Sequence, residues 1–109
     1  MSDTVLDIAT NGPKKDPAWM VVTDEGVTLT LSTASELNGV KQKQITMRSP
    51  TIREVRVCQA AHPKDDLAVD TMLFASLAGI GEKDLVGLTV KDYNRVKDGY
   101  FRLVEEDEL

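Results

Sequence analysis

A chain of 109 residues, 41% hydrophobic and 28% charged, suits one domain with a packed interior and excludes wholesale disorder or a second independent core. The net charge of -5 is unevenly placed: Glu105, Glu106, Asp107 and Glu108 make an acidic C-terminal tail over 105–109, while Lys41, Lys43, Arg48, Arg53 and Arg56 outweigh Glu54 in the middle. No apolar run approaches the roughly 20 residues that span a bilayer, and residues 1–10 lack the basic start and apolar block of a signal peptide, so the expected setting is cytoplasmic, with no membrane partner.

Residues 1–17 contain Asn11-Gly12-Pro13 and Asp16-Pro17, with Val5, Leu6 and Ile8 as their only large apolar side chains. They read as a flexible N-terminal arm before a single domain over 18–104. Residues 18–22, AWMVV, supply either a third, edge strand or a cover for the core, with Trp19 as packing. Residues 27–32, VTLTLS, alternate strictly, so Val27, Leu29 and Leu31 share one face of a half-buried strand. Its partner is 40–48. A two-residue turn at Asn38-Gly39 would set Leu31 against Thr46 and put the apolar sets on opposite faces. A three-residue loop, Leu37-Asn38-Gly39, instead pairs Leu31 with Ile45 and Leu29 with Met47. That loop is the expected register, with a bulge elsewhere as the alternative.

Ser49-Pro50 signals a helix start, with serine as N-cap and proline at the first helical position. Ile52, Val55 and Cys58 or Gln59 form its buried stripe, and Pro63 stops it. The next helix covers about 66–78, turning Val69, Met72, Leu73, Leu77 and Ile80 inward, with Gly79 and Gly81 punctuating its end. A single turn follows at 82–86. Thr89 opens the last helix with Asp92 at the reciprocal-cap position, and Val90, Tyr93, Val96, Tyr100 and Leu103 make one apolar stripe. Gly99 lies inside that stripe, where glycine costs about 1 kcal/mol relative to alanine, so a close neighbour or a bend is expected. The fold class is α+β: an N-terminal antiparallel β-hairpin, with or without a third edge strand, followed by three to four helices.

Candidate chemistry is sparse. Cys58 and His62 stand four apart on one helix, but Pro63 follows at once and no second cysteine or histidine completes a metal site. No catalytic, metal-binding or cofactor-binding residue is assigned, and the protein is not expected to be an enzyme. The glycines of GIGEKDLVG follow no strand and precede no Gly-Lys-Ser/Thr triplet, so they are helix punctuation rather than a phosphate loop. No stacking aromatics interleave with the basic residues of the middle, so nucleic acid is not the expected partner. A small regulatory protein binding nucleic acid or a transcription factor through that segment is the alternative reading. Phe74, Tyr93, Tyr100 and Phe101 are the candidate protein-binding residues. Tyr100 and Phe101 point about 100° apart on a helix, so one of them reaches the surface, where it would anchor a partner helix or another copy in a homo-oligomer.

Four segments, VTLTLS, ITMRSPTIREVR, LFASLAGIGEKDLVGLT and KDYNRVKDGYFRLVEED, occur in an order that resembles the tail assembly chaperones of Mu-like phages and prophages, from about residue 27 to residue 107. The resemblance implies a non-enzymatic protein of phage tail morphogenesis. It further implies binding of the tape measure protein while tail tube subunits polymerise around it. In that family a programmed frameshift near the end of the gene often yields a longer form, which would be a further partner.

Overall fold

The computed structural model describes residues 16–105. Most of the arm expected over 1–17, and the tail beyond Glu105, lie outside them. The elements run β1 (Met20–Thr23), β2 (Gly26–Leu37), β3 (Val40–Arg48), α1 (Ile52–Ala61), α2 (Asp66–Ala78), α3 (Glu82–Val86) and α4 (Val90–Val104). The strands form one antiparallel sheet in the order β1-β2-β3, and the helices all follow it, which is the α+β class. The AWMVV run supplies the third strand, with Met20 opposite Leu29 and Val22 opposite Val27.

The β2–β3 register departs from expectation. Asn38 and Gly39 have φ of 54° and 79°, the backbone of a two-residue turn, and Leu37 pairs directly with Val40. Farther from the turn Leu29 pairs with Ile45 and Val27 with Met47, not Leu31 with Ile45 and Leu29 with Met47. The two registers are reconciled by a bulge between Thr30 and Ser35, where residues 31–34 of β2 face only Lys43 of β3. An excess of three residues, four against one, is odd, so it reverses the parity of the side-chain alternation and returns Val27, Leu29, Ile45 and Met47 to one buried face. The loop-length argument placed the extra residue in the turn; the protein places its extra residues inside the strand.

Helices cover that face. α4 lies on β2, α2 on β3, and α1 packs against α2. The core joins Leu29, Leu31, Leu37 and Met47 from the sheet to Leu73 and Phe74 of α2, Leu85 of α3 and Val96 of α4. Burying each such side chain contributes roughly 1.5–3 kcal/mol. At Gly99 α4 lies close against the sheet: a Cβ there would stand 2.9 Å from Leu29 Cδ1 and Cδ2. This is the close neighbour that the glycine implied.

Local signals hold elsewhere with two corrections. α2 is capped by the Asp65 carboxylate, which accepts from Ala68 N at 3.0 Å, and ends on Gly79 in the left-handed conformation. α1, however, starts after Thr51 rather than at Ser49-Pro50. Thr51 and Glu54 form a reciprocal capping box, and a box satisfies two amides where Ser49 would satisfy one. Ile52 and Val90, assigned to buried stripes, are 70% and 78% exposed, each at the first position of its helix.

Candidate functional site

α2 and α4 bring the four aromatic residues into one connected group. Phe74 is 1% exposed at the centre of the core; its ring centroid lies 6.1 Å from that of Tyr93 and 5.0 Å from that of Tyr100. Tyr100 in turn meets Phe101 edge-on at 5.9 Å. Tyr93 and Tyr100 are half-buried, whereas Phe101, one residue round the helix, is 58% exposed. Phe101 is therefore the outer end of a row of rings anchored on Phe74. It borders a hollow of about 260 Å³ shared with Trp19, Met20 and Arg102, and the exposed Val104 lies one turn farther along α4. Arg102 is fixed by Asp16, whose carboxylate accepts from its Nε at 3.0 Å.

A second apolar opening, of about 220 Å³, lies where α2, α3 and the start of α4 meet, lined by Leu67, Leu85, Val86, Val90 and Tyr93. Leu67, Val86 and Val90 project into solvent around it. The Tyr93 hydroxyl is buried with no hydrogen-bond partner among the described residues. Sequence reasoning missed this opening because Leu67 and Val86 belong to no stripe and Val90 was assigned to the buried stripe of α4, whereas it is exposed. The one available signal was the excess of apolar residues in 85–90, LVGLTV, over what a five-residue helix can bury.

Cys58 and His62 both take part in the packing and capping of α1. Cys58 is buried, and burial first, then Glu54 and Glu82, push its thiol up, away from the reactive thiolate. His62 follows α1 as its C-cap, its backbone amide donating to Cys58 O at 3.2 Å. Among the described residues no group of three or more His, Cys, Asp or Glu side chains could hold a metal ion, and no helix is long and apolar enough to cross a membrane. The basic residues of the middle are dispersed. Arg48 is held in a two-pronged pair with Glu54, Lys41 and Lys43 are exposed on β3, and Arg53 and Arg56 are exposed on α1.

The family model described as "Phage tail assembly chaperone proteins, E, or 41 or 14" matches residues 28–105, from β2 to the end of α4. The chain belongs to the phage tail assembly chaperones. No curated protein and no solved structure matches it. The part of this chaperone that carries the family likeness contains the row of rings from Phe74 to Phe101, the bulged hairpin and all four helices.

Proposed function

We propose that this tail assembly chaperone is a non-enzymatic binder of the tape measure protein, acting in the cytoplasm of the host bacterium during tail morphogenesis. The match of the family model over residues 28–105 carries this reading. The surface is consistent with it: a tape measure protein is long, helical and partly apolar, and a helix of that kind is recognised by apolar side chains entering grooves at three- and four-residue spacing. The exposed Phe101 offers an aromatic anchor for such a helix, and the opening between Leu67, Val86 and Val90 offers a groove.

Co-expression tests the reading. A tape measure protein from the same genome should move from the insoluble to the soluble fraction when both are made together, and should co-purify with the chaperone. A tape measure protein equally soluble with and without the chaperone, and never co-purifying, would refute it.

A further inference from the structure

Two exposed helix surfaces on different sides of the fold complement each other in charge and in apolar content. The first belongs to α4. Asp98, Phe101 and Val104 fall within an arc of about 120° around that helix, Glu105 follows at its end, and all four are exposed. Asp98, Phe101 and Glu105 border the hollow at Trp19 and Met20, so this surface lies toward the β1 edge of the sheet. The second belongs to α1, which turns Val55 and Cys58 toward the core and leaves Ile52, Arg53, Arg56, Val57 and Ala60 exposed around a shallow hollow of about 490 Å³. α1 follows β3, the other edge of the sheet, and packs against α2, which lies on β3.

The charges left after internal pairing are opposite. Asp16 is taken by Arg102 on the α4 side, and Glu54 by Arg48 on the α1 side. Among the described residues Asp98, Glu105, Arg53 and Arg56 have no ion pair. One surface therefore presents two carboxylates beside an aromatic ring, and the other presents two guanidinium groups beside an aliphatic hollow.

We propose that copies of this chain associate head to tail, the α4 surface of one copy seating on the α1 surface of the next, with Phe101 in the hollow at Val57 and Ala60 and with Asp98 and Glu105 against Arg53 and Arg56. Charge complementarity selects a second copy as the occupant: each surface carries what the other lacks, and the two lie toward opposite edges of the sheet, so one chain cannot join them. Arginine and carboxylate pair with two-pronged geometry, and the ring supplies the apolar anchor that exposed ion pairs, individually weak, do not. The contact is heterologous. Each copy in a pair keeps one unused surface, so association continues past the dimer, to a closed ring or an open chain. The inference is independent of tape measure binding, since this contact leaves the opening around Leu67, Val86 and Val90 uncovered.

Sedimentation velocity on the full chain, with no tape measure protein present, tests it. The sedimentation coefficient should rise with concentration between about 1 µM and about 1 mM, the range over which a weak interface dissociates, and should pass the value of a dimer. Reversing one surface, with Asp98→Lys and Glu105→Lys or with Arg53→Glu and Arg56→Glu, should raise the concentration needed about tenfold, because like charges then meet. Mixing the two reversed variants should restore association, because each again meets its opposite. Phe101→Ala should weaken self-association about tenfold through loss of the anchor. All the substituted side chains are exposed, and circular dichroism checks the fold. Should a reversal unfold the chain, Asp98→Asn with Glu105→Gln, or Arg53→Gln with Arg56→Gln, takes its place, and loss of association is the readout. A chain that stays monomeric throughout, self-association that survives either reversal, reversed variants that do not recover on mixing, or a Phe101→Ala variant that associates like the parent would overturn the proposal. A monomeric chain whose capture of the tape measure protein fails on reversal of Arg53 and Arg56 would also overturn it, assigning the α1 surface to that partner instead.

Discussion

The Asp92 carboxylate, in the first turn of α4, accepts a hydrogen bond from the backbone amide of Ser32 at 2.7 Å and another from Thr33 at 3.3 Å. Both amides belong to the bulge where β2 loses its register with β3. The side chain that docks the last helix therefore also satisfies the irregular part of the central strand. Arg95, one turn on, donates from Nη1 to Thr30 O at 2.7 Å and lies 5.0 Å from the Trp19 ring, securing the strand just before the bulge. Asp92→Ala should lose about 2–4 kcal/mol of stability, because two part-buried amides lose a charged acceptor. Asp92→Asn, which keeps one acceptor oxygen, should lose less. Urea unfolding measures both; a loss under about 0.5 kcal/mol in the alanine variant would mean that the bulge stands without Asp92.

The acid side of the stability curve follows from two carboxylates. Glu54 is held down to about 2 from an ordinary 4.5, chiefly by its hydrogen bond from Arg48 and then by the Thr51 amide. At Asp92 burial pushes the carboxyl up, but the hydrogen bonds from Ser32 and Thr33 and the charge of Arg95 outweigh it, and the net direction is down. A depressed folded value means that the unfolded chain takes up protons first, so each contribution is whole above the ordinary carboxylate range and is lost as pH falls. Stability should decline from about pH 4.5 toward pH 2. Glu54→Gln should flatten the decline in urea midpoints over that window, and an identical slope in the variant would remove Glu54 as its source.

The alternation of VTLTLS, the glycine at the end of α2 and the cap at Thr89 were legible because each is a local preference that the tertiary structure leaves in force. The register was not. Asn38-Gly39 is a strong two-residue turn signal, and parity alone demanded an odd insertion somewhere; nothing local says that it sits at 31–34. The reason lies sixty residues away, at Asp92, whose spacing after Thr89 made it look like the second half of a capping box. Thr89 does accept from Asp92 N at 3.2 Å, but the carboxylate has turned to β2 instead. Of the candidate surface, the exposure of one member of the Tyr100-Phe101 pair followed from helix geometry. The opening around Leu67, Val86 and Val90 did not, because it depends on how three helices meet.

Two glycines should respond differently to alanine. At Gly26, with φ of +155°, a Cβ would lie 2.0 Å from the carbonyl oxygen of Met47, and backbone inside a sheet cannot yield that much. Gly26→Ala should disrupt the β2–β3 pairing and lose more than about 3 kcal/mol. At Gly99 the obstacle is the Leu29 side chain at 2.9 Å, which can shift at some expense, and alanine recovers about 1 kcal/mol of helix propensity against roughly 1–3 kcal/mol of overpacking. The expected net loss for Gly99→Ala is about 1 kcal/mol. Equal losses at the two sites would show that the sheet is looser than this geometry requires.

Cys58→Ser and His62→Ala should leave partner binding intact, since the thiol is packed in the core and the histidine is engaged through its backbone, its amide donating to Cys58 O and its carbonyl accepting from Asp65 N. The serine variant should lose about 1 kcal/mol or more, from a hydroxyl placed among apolar side chains. Pull-down with the tape measure protein, with circular dichroism as the folding control, measures the outcome. Loss of binding in both variants with the fold preserved would require a site at these residues.

The sharpest separation of core from surface lies along the row of rings. Phe74 and Phe101 are the same residue type joined through Tyr100, yet one is 1% and the other 58% exposed. Truncating Phe74 to alanine should lose about 3–5 kcal/mol, through lost burial and the cavity left between α2 and α4. Phe101→Ala removes an edge contact with Tyr100 and an exposed ring, so the loss should stay below about 1 kcal/mol. If Phe101 is the anchor for a partner helix, its substitution should nevertheless weaken capture of the tape measure protein severalfold, while a core variant that loses more stability but stays folded, such as Val96→Ala, retains capture. Urea melts and pull-downs on the same preparations decide it. Phe101→Ala that unfolds the protein, or that binds as well as the parent chain, would move the interaction face elsewhere, and the opening bounded by Leu67, Val86 and Val90 would be the next place to mutate.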